Sequence, residues 1–371
     1  MTQLLYATPE SLGLNQEKLN NAYLLLEEAV AKRETPGAVG LVLYRRKIVA
    51  HCSFGQKSIL PNPSPLTKDT IYDLASVSKC IATTTMTLML LEKGTLRLDD
   101  SVAYFYPEFN AKSKLRLRHL LTHTSGLPAW LPIYQNASSR DDWLKVLANT
   151  NLEYETGSKV VYSCLGFILL GLILEKIAGE SLAAFCKREL FDPLGMKDTG
   201  YNVGPLERVA PTEYSPAKNC ILKGIVHDEN AASLGGVSGN AGVFSTAFDL
   251  ALFAAMLLSE GFWNNRVYLT PASIRFMRYN HTSHLNDNRG LGWALKGEYS
   301  SGGDLLSPYS FGHTGFTGTS IWLDPALDLA IILLTNRVHP TREGGQGIIR
   351  LRALFANAVV GALPKTTWTL D

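Results

Sequence analysis

The apolar positions of this chain repeat with two periods, one suited to helices and one to strands. Near the start, Leu19, Ala22, Tyr23, Leu26, Ala29 and Val30 fall at helical spacing within residues 15–32, which predicts a helix packed on one face. Residues 38–44 and 48–54 are β-rich and are separated by Arg45-Arg46-Lys47, a hairpin pattern. Residues 319–323 and 329–335 repeat that pattern around Asp324-Pro325-Ala326-Leu327-Asp328, a turn signal. A last amphipathic stretch, about 346–360, reads as a helix. Between the two ends the strong segments are helical: 76–93 ended by Gly94, 115–122, 140–149, 163–178 ended by Gly179, 181–190 and 246–259.

The simplest architecture is one α+β domain over 1–371, of the α/β sandwich type. Both chain ends build an antiparallel sheet flanked by helices, a sheet lobe of about 1–75 and 290–371. A mostly helical lobe, about 76–289, is inserted between them. Such an insertion leaves a cleft at the junction, where sites tend to form.

A chain of 371 residues, 46% hydrophobic and 18% charged, can bury a large core. The net charge of +2, with no dense Lys/Arg tract, argues against nucleic acid as a partner. Apolar runs such as 84–91 and 167–177 are too short or too interrupted to span a bilayer. The first ten residues have no basic region followed by an apolar core, so no signal peptide is expected and the protein is expected in the cytoplasm. Five scattered cysteines (Cys52, Cys80, Cys164, Cys186, Cys220) without C-x-x-C spacing read as reduced thiols, with no zinc site.

The candidate chemistry starts at Ser76-Val77-Ser78-Lys79, which opens an apolar stretch. Serine and lysine three residues apart lie one helical turn apart, so the amine reaches the hydroxyl and can take its proton. A serine at a helix start also sits where unpaired N–H groups favour developing negative charge. Alone, S-x-x-K is weak, because most such serines are helix caps. Tyr162 precedes the helix that begins near Cys164. It is either a buried anchor or a proton shuttle whose pKa the Lys79 ammonium would lower. Gly312-His313-Thr314-Gly315-Phe316-Thr317-Gly318 runs into a strand. It is either a tight turn or a strand edge whose N–H near Phe316 completes an oxyanion hole with that of Ser76, with His313 as a hydrogen-bond donor to the pocket. His123 reads as structural. His227 and Asp228 precede a glycine-rich segment, 235–242, and either line the pocket or cap the loop. No G-x-S-x-G elbow, Walker A loop, H-E-x-x-H or strand-anchored G-x-G-x-x-G is present.

The order Ser76-x-x-Lys79, Tyr162-Ser163-Cys164 and His313-Thr314-Gly315 resembles the penicillin-recognising serine hydrolases: class C β-lactamases, low-molecular-weight penicillin-binding proteins and related esterases. Residues 120–127 and 241–246 resemble further stretches of that family, and 312–319 with 333–340 resemble its penicillin-binding protein 4-like branch. The resemblance implies a β-lactamase/transpeptidase-like fold and an acyl-enzyme on Ser76. It makes Lys79 the activating group and Tyr162 the proton relay to the leaving group, and it requires no cofactor. His313, Thr314, Gly315, Phe316 and Cys164 would bind substrate. Two departures stand out. His313 replaces the fixed charge of a lysine and would be charged only in part near neutrality, and Cys164 replaces an asparagine amide. Both favour an esterase-like acyl hydrolase. The alternative is a peptidase or amidase on peptidoglycan fragments, such as a D-alanyl carboxypeptidase or muropeptide amidase. A true β-lactamase or a non-catalytic binder ranks lower. The expected partner is a small ester, amide or muropeptide.

Overall fold

The computed structural model describes residues 4–137, 139–297 and 300–364. Its main sheet has seven strands: β1 (Gly37–Tyr44), β2 (Lys47–Ser58), β3 (Ser64–Pro65), β4 (Ala294–Leu295), β5 (Phe311–Thr314), β6 (Ser320–Asp324) and β7 (Leu329–Thr335). They lie in the order β4-β5-β6-β7-β1-β2-β3, with every neighbouring pair antiparallel. The expected hairpins are present: Leu41 faces His51 on one side and Ile332 on the other. The first hairpin turns through Arg45 and Arg46, both left-handed at φ 49° and 56°. Those angles match the twist of a two-residue hairpin loop. The strain is offset by the Arg45 N–H bond to the Asp328 carbonyl and the Arg46–Asp328 ion pair.

All of β1 and β7 is buried because both sheet faces are covered. Ala38, Val42, Tyr44, Leu329, Ile331 and Leu333 pack under the Gln16–Ala31 and Gly347–Gly361 helices. The alternate set, Val39, Leu41, Leu43, Ala330, Ile332 and Leu334, faces a second core that continues into the helical region. Gly40 lets the first layer close down, since a Cβ there would lie 2.8 Å from Leu26 and 3.0 Å from Phe355.

The structure departs from the sequence expectations in three places. The helix at Ala247–Leu258, assigned to the inserted lobe, packs against β1 and β7. It is buried nearly all round because it lies between the sheet and the rest of the helical region. The expected helix over 76–93 is a 3₁₀ turn at Ala75–Val77, a π-helical stretch at Lys79–Thr84 and an α-helix only over Thr85–Glu92. In this threonine-rich segment, Thr85 and Thr87 bond back to the carbonyls of Cys80 and Thr83, an alternative to regular helix bonding. The third is an omission, a small sheet in which Val243–Ser245 lies between Tyr72–Asp73 and Gly200–Tyr201. Those strands are two or three residues long, too short for an alternating pattern to register.

The helix Cys164–Ala178 passes close to the 235–242 loop, where a Cβ on Gly239 would run into the Phe167 carbonyl and lie 2.9 Å from Gly171 Cα. Gly239→Ala should therefore destabilise the protein by about 1–3 kcal/mol. Chemical denaturation checks this, and an unchanged midpoint would contradict the close approach.

Candidate active site

The site is assembled on the peptide 73–79. Ala75 is left-handed at φ 46°, a costly conformation for a residue with a Cβ. Asp73 holds it there: its buried carboxylate accepts the Ala75 N–H at 2.9 Å and, with its other oxygen, the His227 N–H at 2.7 Å. The Asp73 and Leu74 carbonyls accept the hydroxyls of Thr317 and Thr319, tying the peptide to the β5–β6 turn. Gly315 makes this approach possible, because a Cβ there would collide with the Leu74 carbonyl and the Thr319 hydroxyl. Ser76 follows Ala75 and lines a cleft of about 1260 Å³.

Lys79 is fully buried. Its ammonium reaches Ser76 Oγ at 3.0 Å, the Asn240 carbonyl at 2.9 Å and Cys164 Sγ at 3.6 Å. Burial opposes its charge. Cys164, Tyr162 and Asp228 outweigh that and hold its pKa above the ordinary lysine range. Its three N–H bonds thus have three acceptors in the resting protein.

For Tyr162 the expected lowering of the pKa is corrected. Its phenol pKa is raised, because burial dominates the pull of the Lys79 ammonium. The Tyr162 hydroxyl is buried and makes no hydrogen bond, although Lys79 and Ser76 both lie near enough to draw its pKa down. Lys79 Nζ sits 5.0 Å from the ring centre.

Two histidines flank that ring, His123 at 4.5 Å and His313 at 5.8 Å between centres. His123 is structural as expected: it is buried, left-handed at φ 57°, and Nδ1 accepts the Ser163 N–H at 3.1 Å. His313 differs from expectation twice. Burial, then the charges of Lys79 and Arg289, push its pKa down to about 3, so it is neutral. Its Nδ1 lies 2.8 Å from the Thr314 carbonyl, which can only accept, so Nδ1 carries the proton. The unpartnered Nε2 is then an acceptor, not a donor.

Thr314, Gly315, Phe316 and Cys164 all line the cleft. Among the described residues, the N–H groups of Ser76 and Phe316 donate to no carbonyl. His227 and Asp228 also line it, but both are engaged structurally. His227 Nε2 pairs with Glu213 at 3.0 Å, and Asp228 caps the short helix Glu229–Ser233.

Sequence reasoning missed Asp73 as a clamp, the Asn240 carbonyl, and the cleft residues Trp130, Arg289, Arg337 and Arg352. Arg352 is buried, bonds the Gly315 and Thr319 carbonyls, and keeps Nε unpartnered. Arg337 bonds the Phe316 and Gly344 carbonyls. Neither guanidinium has a carboxylate partner among the described residues.

The family model described as Beta-lactamase matches residues 24–354. The chain belongs to the beta-lactamase family. This family member is a serine hydrolase. It is 30% identical over 379 residues to a "Putative D-alanyl-D-alanine carboxypeptidase" of Escherichia coli (strain K12), covering 90% of this chain and 85% of the relative. It is 31% identical over 370 residues to an N-acetylmuramyl-L-alanine amidase of Bacillus subtilis (strain 168), covering 89% and 83%. Its fold matches EstCE1, a hydrolase with promiscuous acyltransferase activity, at TM-score 0.74 and 24% identity over 93% of this chain and 99% of that one. It also matches the octameric penicillin-binding protein homologue from Pyrococcus abyssi at TM-score 0.71 and 22% identity, over 95% and 79%. These two likenesses establish the β-lactamase/transpeptidase-like fold expected from the resemblance.

The neutral His313 gives a pH prediction. With the folded ring near pKa 3 and an ordinary value near 6.5, the unfolded chain takes up the proton first. The stability that the neutral ring contributes is therefore complete above about pH 6.5 and lost as pH falls towards about 3. The His313 ring resonance should stay flat from pH 8 to 5. A titration centred near 6.5 would contradict this assignment.

Proposed function

We propose that this beta-lactamase-family hydrolase cleaves amide bonds in carboxylate-bearing, peptidoglycan-type peptides by acylating Ser76. The observation that carries the reading is the buried Lys79 ammonium 3.0 Å from Ser76 Oγ, beside the unpartnered Tyr162 hydroxyl. Ser76 Oγ attacks the carbonyl and passes its proton to Tyr162 Oη, which gives its own proton to the leaving nitrogen. The N–H groups of Ser76 and Phe316 receive the developing oxyanion, and the Lys79 charge favours the seryl oxygen as it sheds its proton. Water then releases the acyl group by the reverse relay.

The two relatives' names support the amide and its peptidoglycan setting. Arg352 and Arg337 support the carboxylate. The fixed charge that a lysine would supply at position 313 comes here from guanidiniums behind the β5–β6 turn. A cytoplasmic role on imported wall fragments suits five unpaired thiols. Ester hydrolysis is the second reading, and Cys164 favours it. A thiol facing Lys79 is a poor partner for a substrate amide.

Ser76→Ala should abolish turnover of both p-nitrophenyl acetate and muropeptides, and full activity in that variant would sink the assignment. Lys79→Ala and Tyr162→Phe should each lower kcat by about 10²–10⁴-fold. A muropeptide panel read by mass spectrometry separates the two readings, since esters cleaved with every amide intact would leave only the second. Arg352→Gln should raise KM for a free-carboxylate peptide by about tenfold relative to its methyl ester. Equal changes for both substrates, in a variant that melts normally, would remove Arg352 from carboxylate recognition.

A further inference from the structure

Four Phe, Tyr and Trp rings line the cleft, and three of them are engaged. Trp322 is buried and its indole N–H donates to Ser301 Oγ at 3.3 Å. Tyr162 is covered by Lys79 and His123. Phe316 carries the Arg337 guanidinium 4.5 Å from its ring centre and stacks on His227 at 5.7 Å. Trp130 is different. It lines the same cleft, is 44% exposed, and has no ring neighbour, cation or hydrogen bond to its indole among the described residues.

Indoles bury more apolar area than any other side chain, and their N–H finds a partner when they are packed. An indole left in water therefore needs a reason. Local mobility is not the reason, because the backbone around Trp130 is pinned. The Pro128 carbonyl accepts the Ser163 hydroxyl at 2.7 Å, the Ala129 carbonyl accepts the Cys164 N–H at 2.9 Å, and the Leu131 carbonyl accepts the Asn230 amide at 2.8 Å. Two of these bonds come from the start of the helix that carries Cys164, next to Tyr162. The loop thus holds a free aromatic face at a fixed place in the cleft that Ser76 lines, a preorganised contact surface.

The surroundings say what the face receives. Asp228, Glu229, Asp287, Asn288 and Arg289 line the same cleft, so a ligand lying on Trp130 meets polar and charged groups at its rim. Those groups already bond within the protein, and a long aliphatic chain would strip water from their remaining polar capacity and offer nothing in return. A pyranose ring offers an apolar C–H face for the indole and equatorial hydroxyl or acetamido groups for the rim and the free indole N–H.

We propose that Trp130 is a stacking platform for the pyranose ring of an N-acetylated amino sugar, which makes a sugar-bearing peptide the preferred substrate over the free peptide. This rests on the peptidoglycan-type reading above.

The test compares kcat/KM for an N-acetylmuramyl peptide and for the same peptide with an acetyl group in place of the sugar. The native protein should prefer the sugar-bearing form. Trp130→Ala should cut that preference at least tenfold, mainly through KM, and Trp130→Phe should restore part of it. A preference that is absent from the native protein, or unchanged in Trp130→Ala, overturns the platform. Binding keeps the proposal separate from the amidase reading. Trp143, Trp263, Trp293 and Trp322 are all at most 7% exposed, and the sixth tryptophan, Trp368, lies outside the described residues, so in a Trp368→Phe background fluorescence quenching by acrylamide reports chiefly on Trp130. In the Ser76→Ala protein, N-acetylglucosaminyl-N-acetylmuramic acid should shield that fluorescence even if no muropeptide is ever cleaved. Failure of the sugar to shield it overturns the platform, whether or not amides are cleaved.

Discussion

The buried charge of Lys79 constrains everything around it. A fully buried ammonium persists only when each of its protons has an acceptor, because an unpaired charge in a low-dielectric interior carries a large desolvation penalty. Its three acceptors come from three separate segments: Ser76 from the turn before it, Cys164 from the start of the next long helix, and the Asn240 carbonyl from the glycine-rich loop. Satisfying one charge thus brings those segments to a common point. The close Gly171–Gly239 contact and the pairing of Val243–Ser245 with Tyr72–Asp73 serve the same end, since both hold the loop that presents the Asn240 carbonyl.

The same constraint orders the chemistry. In the proposed relay Lys79, its protons committed, acts as a fixed positive charge, and the mobile proton belongs to the Ser76–Tyr162 pair. The Tyr162 hydroxyl sits buried, close enough to Lys79 and Ser76 for both to draw its pKa down, but in no well-formed hydrogen bond. In the proposed relay it gains a partner when a leaving group arrives to accept its proton. Strain at Ala75 follows the same logic, with Asp73 holding a left-handed residue in place so that Ser76 faces the cleft.

Much of this was legible in the sequence. The sheet strands and the flanking helices are long periodic segments, and period carries most of the signal when both faces of a strand or one face of a helix are buried. Ser76, Lys79, Tyr162 and His313 were found because their order along the chain is itself a pattern. What could not be read has particular causes. The π-helical stretch at Lys79–Thr84 has the same apolar content as an α-helix, so nothing in the residue types marks it. The Asn240 acceptor is a main-chain oxygen, which every residue has. Arg337 and Arg352 are distant in sequence from Ser76 and come near it only through the turn that Thr317 and Thr319 tie down. The ionisation of Tyr162 and His313 was misjudged for one reason. Proximity to a charge can be guessed from a motif, but depth of burial cannot, and burial is the larger influence on both.

In the proposed reading, the neutrality of His313 goes with a site that takes anionic substrates without a lysine on β5. A charged side chain at position 313 would lie among Lys79, Arg289 and Arg352, three cations that already depress the histidine. Adding a fourth fixed charge there would raise the repulsion within a desolvated space. A neutral imidazole avoids that, while Arg352, held by the Gly315 and Thr319 carbonyls, keeps positive charge just behind the strand edge. The field that attracts a carboxylate is thereby separated from the strand edge that would align its backbone. In that reading the preferred substrate carries both a carboxylate to meet the guanidiniums and a peptide segment to lie along β5. A small neutral ester carries neither, so under the same reading it draws little binding energy from the rest of the cleft.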